Sequence, residues 1–187
     1  MTCREVIIRL ILALICVVVL GCHTHGQSQQ KASSVLDQDA AVETLRRYLQ
    51  LRLCNADWKD YSKFITWPDE PGWDCTWVVS NYEIGVPKKG KRNVIVPVVY
   101  KRLGLFCYDF DFNPDPKVVT INYELIERQR DWKVNAPIPD YPDISADVLL
   151  KSLRASGENL HQSADRRVKF SATASKLAEA LDRSGEK

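Results

Sequence analysis

The sequence predicts an α+β domain in which N-terminal helices pack on a curved antiparallel sheet, followed by a C-terminal helical extension. Apolar residues recur at helical spacing over residues 37–53, alternate with a period of two from Trp73 onward, and return to helical spacing after residue 145. The chain has 187 residues, 45% hydrophobic and 27% charged, which is typical of one globular domain with a leader. Its net charge of +2 excludes a global field that would attract nucleic acid.

The first predicted helix, over residues 37–53, has an apolar stripe, with three arginines that we place off it. The stripe is Val42, Leu45, Leu49 and Leu53, and the arginines are Arg46, Arg47 and Arg52. A short second helix carries Trp58, Tyr61, Phe64 and Ile65 and ends before Pro68.

About four strands follow, over residues 74–84, 93–112 and 117–129 and a short last one after residue 130. Pro97 cannot donate to a ladder, so we expect an edge position or a bulge there. In the extension, Ser145 is expected to cap a helix that ends at Gly157 as its C′ residue. A last helix over residues 163–181 has a thin apolar stripe and is expected to dock loosely.

The N-terminus has the features of a secretory leader. Arg4 and Arg9 precede an apolar run from Leu10 to Leu20, whose eleven residues would rise only about 16 Å as a helix. A bilayer core of about 30 Å needs a longer segment, so a cleaved signal peptide is favoured over an uncleaved anchor.

The ending Val19-Leu20-Gly21-Cys22 resembles the lipobox of bacterial lipoproteins. The resemblance implies cleavage between Gly21 and Cys22 and a diacylglycerol thioether on Cys22, which anchors the protein in the cell envelope. Residues 1–21 would then be the signal peptide and residues 22–36 a lipidated terminus and polar tether. His23 follows the cysteine in place of an aspartate, which favours the outer membrane, facing the periplasm.

The helix–helix–strands order over residues 37–137 is similar to the nuclear-transport-factor-2-like superfamily, also called cystatin-like. The matching stretches are "CNADWKDYSKFI" and "YELIERQRDWKVNAP". The resemblance implies a cone-like α+β domain with any pocket in the mouth of the cone, and residues 138–187 are added to it as a helical extension. Because the superfamily has both catalytic and non-catalytic members, the fold leaves the function open.

Three cysteines remain after the leader and Cys22 are set aside: Cys54, Cys75 and Cys107. An exported protein favours a disulfide among them, but the sequence leaves the three pairings, and the alternative of three buried thiols, open.

Two groups of side chains are candidates for a functional site. Tyr61, Tyr82 and Tyr123 are the tyrosines that we expect near a pocket. The stretch "YDFDFNPDP" predicts Asp109 and Asp111 in solvent, with Tyr108, Phe110 and Phe112 on the buried face. A catalytic or calcium-binding carboxylate pair there is the alternative.

A basic cluster, Lys88, Lys89, Lys91 and Arg92, is predicted at a hairpin tip. Its two interpretations are a solvated turn and a contact with anionic lipid headgroups near the anchor.

These features favour an envelope lipoprotein with a non-catalytic domain that binds a small apolar ligand or an envelope protein. The alternatives are an isomerase- or hydrolase-like enzyme with an acid and a tyrosine in the cone, and a structural subunit of an envelope complex. No phosphate-binding loop, metalloprotease or serine-hydrolase motif occurs, and His23 and His25 are weak as ligands, so we assign no catalytic residue, metal or cofactor.

Replacing Cys22 with Ala is expected to leave the precursor uncleaved and to abolish incorporation of radiolabelled palmitate, because only a thiol accepts the diacylglycerol group. Cys16→Ala, inside the leader, is the matched control and should mature normally. Normal processing of the Cys22→Ala precursor would contradict the lipoprotein prediction.

Overall fold

The structure is a computed structural model that describes residues 38–69 and 72–185. The predicted signal peptide, the cleavage site at Gly21 and Cys22, and the tether over residues 22–36 lie outside the described residues. Ala41–Lys187 form one compact unit. Among the described helices, none is both long and apolar enough to cross a membrane.

The described part of the chain contains both helices and strands, which confirms an α+β fold. The helices are α1 (residues 38–53), α2 (Trp58–Tyr61), a 3-10 turn (Ser62–Phe64), α3 (Ala146–Glu158) and α4 (Ala164–Ser184). The strands are β1 (Cys75–Ile84), β2 (Lys88–Lys89), β3 (Asn93–Cys107), β4 (Phe112–Arg128), β5 (Asp131–Ala136) and β6 (Asp143–Ser145).

The strands form one strongly curled sheet in the order β5-β4-β3-β1-β6, with β2 paired to part of β3. All pairs are antiparallel except β1 with β6, so the sheet is mixed, whereas the sequence predicted a purely antiparallel one. The parallel pair arises because the chain crosses from β5 to the opposite edge of the sheet before it forms β6. This strand lies within residues 138–187, the predicted helical extension, just before the helix that Ser145 was expected to cap.

Pro97 lies in β3, a central strand and not an edge, and it removes only the bond that its N–H would have donated to Gly85, where the ladder with β1 ends. β1 pairs with β3 only as far as Ile84 and Val98, and β2 begins at Lys88, so a gap faces Pro97. The carbonyl of Pro97 points into this gap and accepts from the Gly85 N–H. A residue's N–H and C=O point to the same side of a strand, so the missing donor would have faced the gap.

Two apolar cores lie in the unit. The first joins α1 and the α2 region to sheet residues, among them Leu45, Leu49, Val96 and Leu125. The second joins α3 and α4 to sheet residues. Val78 belongs to the second core and its neighbour Val79 to the first, because adjacent residues of a strand point to opposite faces.

Both C-terminal helices pack closely on the sheet, and the expectation of a loosely docked last helix is wrong. Phe170, Ala174 and Leu177 of α4 are buried in the second core. Gly157 lies inside α3, which ends at Glu158, and is not the C′ residue that we expected. A Cβ at Gly157 would lie 2.8 Å from the Ser171 hydroxyl oxygen, so glycine permits close approach of α4.

Near a bulge in β3, neighbouring residues of the strand face different cores. The pairing of β3 with β4 shifts register between Arg102 and Gly104, which leaves Leu103 without a partner. Gly104 has φ of +157°, and a Cβ there would lie 2.2 Å from the Asn113 carbonyl oxygen, so glycine is required. Arg102 therefore faces the first core and Leu103 the second.

Cys75 and Cys107 form a disulfide between directly opposed residues of β1 and β3, and Cys54 is a free, exposed cysteine. One of the pairings left open by the sequence is thus present. The bridge joins residues separated by 32 positions.

Replacing both Cys75 and Cys107 with Ser is expected to lower the free energy of unfolding by about 3–4 kcal/mol in denaturant titrations, because the bridge restricts the unfolded chain. Cys54→Ser is the control and should change it by less than about 0.5 kcal/mol, as exposed substitutions do. An equal loss in the two proteins would contradict the assignment.

Candidate functional site

A cluster of polar and aromatic side chains is buried at the end of the first core that faces β6. We call it the polar cluster. Its members come from α1, α2, β3, β4 and β6, and each is less than 10% exposed: Tyr48, Arg52, Tyr61, Tyr100, Arg102, Tyr123 and Asp143. Buried ionisable groups with aromatic neighbours occur both in functional sites and in structural ion pairs. The contacts of these groups and the space between them distinguish the two cases.

Arg102 and Asp143 form the ion pair at the centre of the polar cluster. The Arg102 Nη2 donates to Asp143 Oδ1 at 2.9 Å, and both side chains are at least 91% buried. The Arg102 guanidinium also lies 4.7 Å from the centre of the Trp77 ring and 5.6 Å from that of Tyr100. These contacts fix the cation between β1, β3 and β6.

Arg52 brings a second cation to the polar cluster from the last turn of α1. Its Nη1 donates to the Tyr61 hydroxyl at 3.0 Å, and its guanidinium lies 5.0 Å from the ring centres of Tyr61 and Trp73. Burial opposes the charge of Arg52, but the net shift of its pKa is upward because Tyr48, Tyr61 and Asp143 favour it. Arg52 therefore remains a cation.

Two buried tyrosines share a hydrogen bond beside this charge cluster. The hydroxyl oxygens of Tyr100 and Tyr123 are 2.8 Å apart. Burial raises the pKa of both phenols well above their usual range, and the neighbouring Asp143 adds to the effect. Both phenols therefore stay protonated, and can donate or accept a hydrogen bond without acting as bases.

Asp143 has a raised pKa. Burial, which disfavours the carboxylate, is the main cause, and the neighbouring Arg102 and Arg52 partly offset it. A buried acid beside protonated phenols is chemically able to take part in proton transfer, provided that a substrate can reach it.

The space inside the polar cluster is too small for a substrate. A cavity of about 10 Å³ lies between α1, the two buried tyrosines, Pro139 and Asp143. This is about the room that one water molecule needs, whereas ligand sites usually measure about 300–1,000 Å³.

The structure brings two of the three predicted pocket tyrosines together. Tyr61 and Tyr123 both contact Tyr48, with ring centres 6.1 and 6.4 Å apart. Tyr82 is partly exposed and stacks on Tyr100 at 6.3 Å, outside the small cavity. Of the three, Tyr123 alone lines that cavity.

Sequence reasoning missed the charged members of the polar cluster. Arg52, which we placed off the stripe of α1, is buried. It follows Tyr48 by four residues and Leu45 by seven, so helical spacing could have found it. Arg102 continues the alternation of buried residues at even positions of β3, such as Tyr100. Asp143 lies in a short strand that carried no periodic signal.

The predicted face pattern at residues 108–112 is partly wrong. Tyr108 is 74% exposed, whereas Phe112 is fully buried. The reason is that β3 ends at Cys107, so Tyr108 lies in a turn and does not alternate as in a strand. Phe110 packs on Phe170 of α4, with ring centres 4.7 Å apart.

The two carboxylates of this turn do not form a matched pair. Asp111 binds Lys176 of α4 at 3.0 Å, and this hydrogen bond lowers the pKa of Asp111, while Asp109 is exposed. Within residues 38–69 and 72–185, the side chains form no cluster of three or more potential metal ligands.

A groove of about 640 Å³ lies outside the cores, at the end of the sheet that carries the disulfide. Its lining includes Trp73, Phe106 and Tyr108 beside the Cys75–Cys107 bridge. The groove is open to solvent, and aromatic residues such as those in its lining are enriched at protein–protein interfaces.

The chain matches no protein-family model, and it has no significant match among curated proteins or among solved structures.

Replacing Asp143 with Asn is expected to lower the free energy of unfolding by about 3–5 kcal/mol, because Arg102 would keep a buried charge without its counter-charge. Urea titrations would measure it. The matched control is Asp115→Asn, which breaks the exposed Lys117–Asp115 pair and should cost at most about 1 kcal/mol. A similarly small loss for Asp143→Asn would show that the carboxyl is already neutral.

Proposed function

We propose that the protein is a lipoprotein of the bacterial cell envelope, anchored through Cys22, whose domain is a non-catalytic module that binds a protein partner at its surface. The observation that carries the binding part of this proposal is the closed interior, with a cavity of about 10 Å³ where a small-molecule site would need hundreds. Recognition is therefore assigned to the outside of the domain.

The lipobox-like ending at Cys22 supports a membrane-anchored location. We place the protein in the outer membrane, facing the periplasm. A diacylglycerol group supplies two acyl chains, which anchor stably where one chain binds only marginally. The Cys75–Cys107 disulfide is independent support for an exported protein, because such bridges persist in oxidising compartments.

The curled sheet supports a nuclear-transport-factor-2-like cone as the finer description of the domain. Apolar residues of α1 share a core with β3 and β4, as expected for a helix in the concave face of such a cone. The buried tyrosines and arginines then occupy the place where catalytic relatives of this class would hold a ligand, and they fill it.

The second candidate is an enzyme that uses an acid and a tyrosine in the cone. The observation that favours it is the raised pKa of Asp143 beside the hydrogen-bonded phenols of Tyr100 and Tyr123. Such chemistry would require α1 or the loop at Pro139 to move away and admit a substrate. The Arg102–Asp143 ion pair opposes movement of this loop, because separating the two groups would break their buried charge-assisted hydrogen bond.

Small aromatic ligands test whether the interior is closed. Wild-type protein is expected to show no shift of its melting temperature with saturating indole or benzene. Tyr123→Ala removes a buried ring and should admit these ligands, because the space left beside Tyr48 and Tyr100 has the size of an aromatic ring.

Tyr108→Ala is the matched control, since this exposed ring leaves no interior space when it is removed. A clear thermal shift that the wild-type protein and Tyr108→Ala share, and that therefore does not arise in the groove lined by Tyr108, would overturn the surface-binding proposal and favour the ligand-binding or enzymatic alternative. The wild-type result is decisive even if Tyr123→Ala does not fold.

A further inference from the structure

Exposed cations gather at one end of the sheet, at the β2–β3 hairpin and the β4–β5 turn. We call this surface the basic edge. It consists of six exposed side chains: Lys88, Lys89, Lys91, Arg92, Arg128 and Arg130. Only the hairpin group is recognisable in the sequence, because Arg128 and Arg130 come from a turn that is distant in the chain.

Strand register brings the two groups of cations together. Asn93 at the start of β3 pairs with Ile126 near the end of β4, so the turn before β3 lies beside the turn after β4. Arg128 pairs in turn with Asp131 at the start of β5. The exposed carboxylates Glu127 and Asp131 reduce the charge of the basic edge but leave a cationic excess.

An exposed apolar residue lies beside the hairpin cations. Val86, between β1 and β2, is 80% exposed, and Lys88 follows it by two residues. An apolar side chain next to cations is the combination that favours the boundary between lipid headgroups and acyl chains.

The opposite end of the sheet carries acidic groups. Asp74 precedes β1, Asp109 lies in the β3–β4 turn, and Asp140 lies in the loop before β6, and all three are exposed. The nearby cations are Lys117 and Lys176, which pair with Asp115 and Asp111, and Lys169, which also lies near Asp111, so the carboxylates still outnumber the cations. The domain therefore has a charge polarity along the sheet that its small net charge conceals.

The first turns of α1 lie toward the basic edge, and its last turn lies toward the disulfide end of the sheet. Tyr48 contacts Tyr123, and Arg52, one turn later, contacts Trp73, which precedes β1 at the disulfide end. Ala41, about 10 Å before Tyr48 along the helix axis, therefore lies toward the basic edge. The compact unit begins at this residue, and the chain continues from it back toward Cys22.

We propose that the basic edge binds the anionic phospholipid headgroups of the bilayer that holds the protein, with Val86 at the headgroup boundary. This inference rests on the proposed function for the location of the protein, but the contact itself needs no acyl chain. Charge complementarity supports it, since each cation near an anionic bilayer contributes about 1 kcal/mol. Attachment through Cys22 would hold the domain at the bilayer, so the basic edge would meet the headgroups at high effective concentration.

Vesicle flotation tests the contact without the anchor. The mature chain from residue 22 onward, carrying Cys22→Ser to remove the acylation site, is mixed with vesicles of phosphatidylethanolamine and phosphatidylglycerol or with vesicles of phosphatidylcholine. Binding is expected with the anionic vesicles and should weaken as salt is raised. Equal binding to both vesicles, or none to the anionic ones, would overturn the proposal.

Lys91→Gln combined with Arg92→Gln is expected to weaken the partition onto anionic vesicles by about 30-fold, from two lost cations at about 1 kcal/mol each. Lys151→Gln combined with Arg154→Gln on α3 is the matched control, because these exposed residues change the net charge equally. An equal loss in the control would show unspecific electrostatics and overturn the assignment of the basic edge.

Two further outcomes separate this inference from its competitors. Tight binding of polyglutamate without binding to vesicles would assign the basic edge to an acidic protein and overturn the lipid assignment. A failure of Cys22 labelling in cells would overturn the lipoprotein proposal but leave the flotation result unchanged, since flotation uses a chain without lipid.

Discussion

The Arg102–Asp143 ion pair is the constraint on which the arrangement of the two cores depends. Arg102 extends from β3 at the bulge that divides the strand between the cores. Asp143 is the first residue of β6, two residues before the N-cap of α3. Because either charge would be costly to bury alone, the pair fixes where the chain must return to the sheet after β5. The position of α3 and α4 follows from that return.

The same pair also specifies the register of β3. A shift by one residue would point Arg102 into the second core, where Leu103 now packs with Phe112 and Leu149. Hydrophobic residues alone discriminate weakly between neighbouring registers in a valine-rich strand, because Val94, Val96, Val98 and Val99 are nearly interchangeable. The buried cation of Arg102, whose carboxylate partner is Asp143, makes the alternative registers of β3 unfavourable.

Periodicity predicted most of the elements, since α1, the four longer strands and both C-terminal helices follow repeats of apolar residues, although the stripe of α4 is thin. It did not predict β6, because three residues are too few to show a period and the position of Asp143 depends on its distant partner Arg102. Gly157 was read as a helix end, although its role is to admit Ser171 of α4, a tertiary contact that no local pattern encodes. The polar cluster was missed for a related reason, because charged residues are expected in solvent unless their partner is known.

In the proposed lipoprotein, the acyl chains, the basic edge and the groove have separate roles: attachment, orientation and binding. Two acyl chains would anchor the protein whatever the domain does, so the basic edge is not needed for attachment. A contact of a few cations is too weak to hold a soluble protein, but it is sufficient to orient one that is already tethered. With the basic edge against the headgroups, the groove beside the Cys75–Cys107 bridge would face away from the bilayer, because it lies at the opposite end of the strands. Its aromatic lining would then be presented to proteins in the surrounding compartment, as a surface-binding module requires.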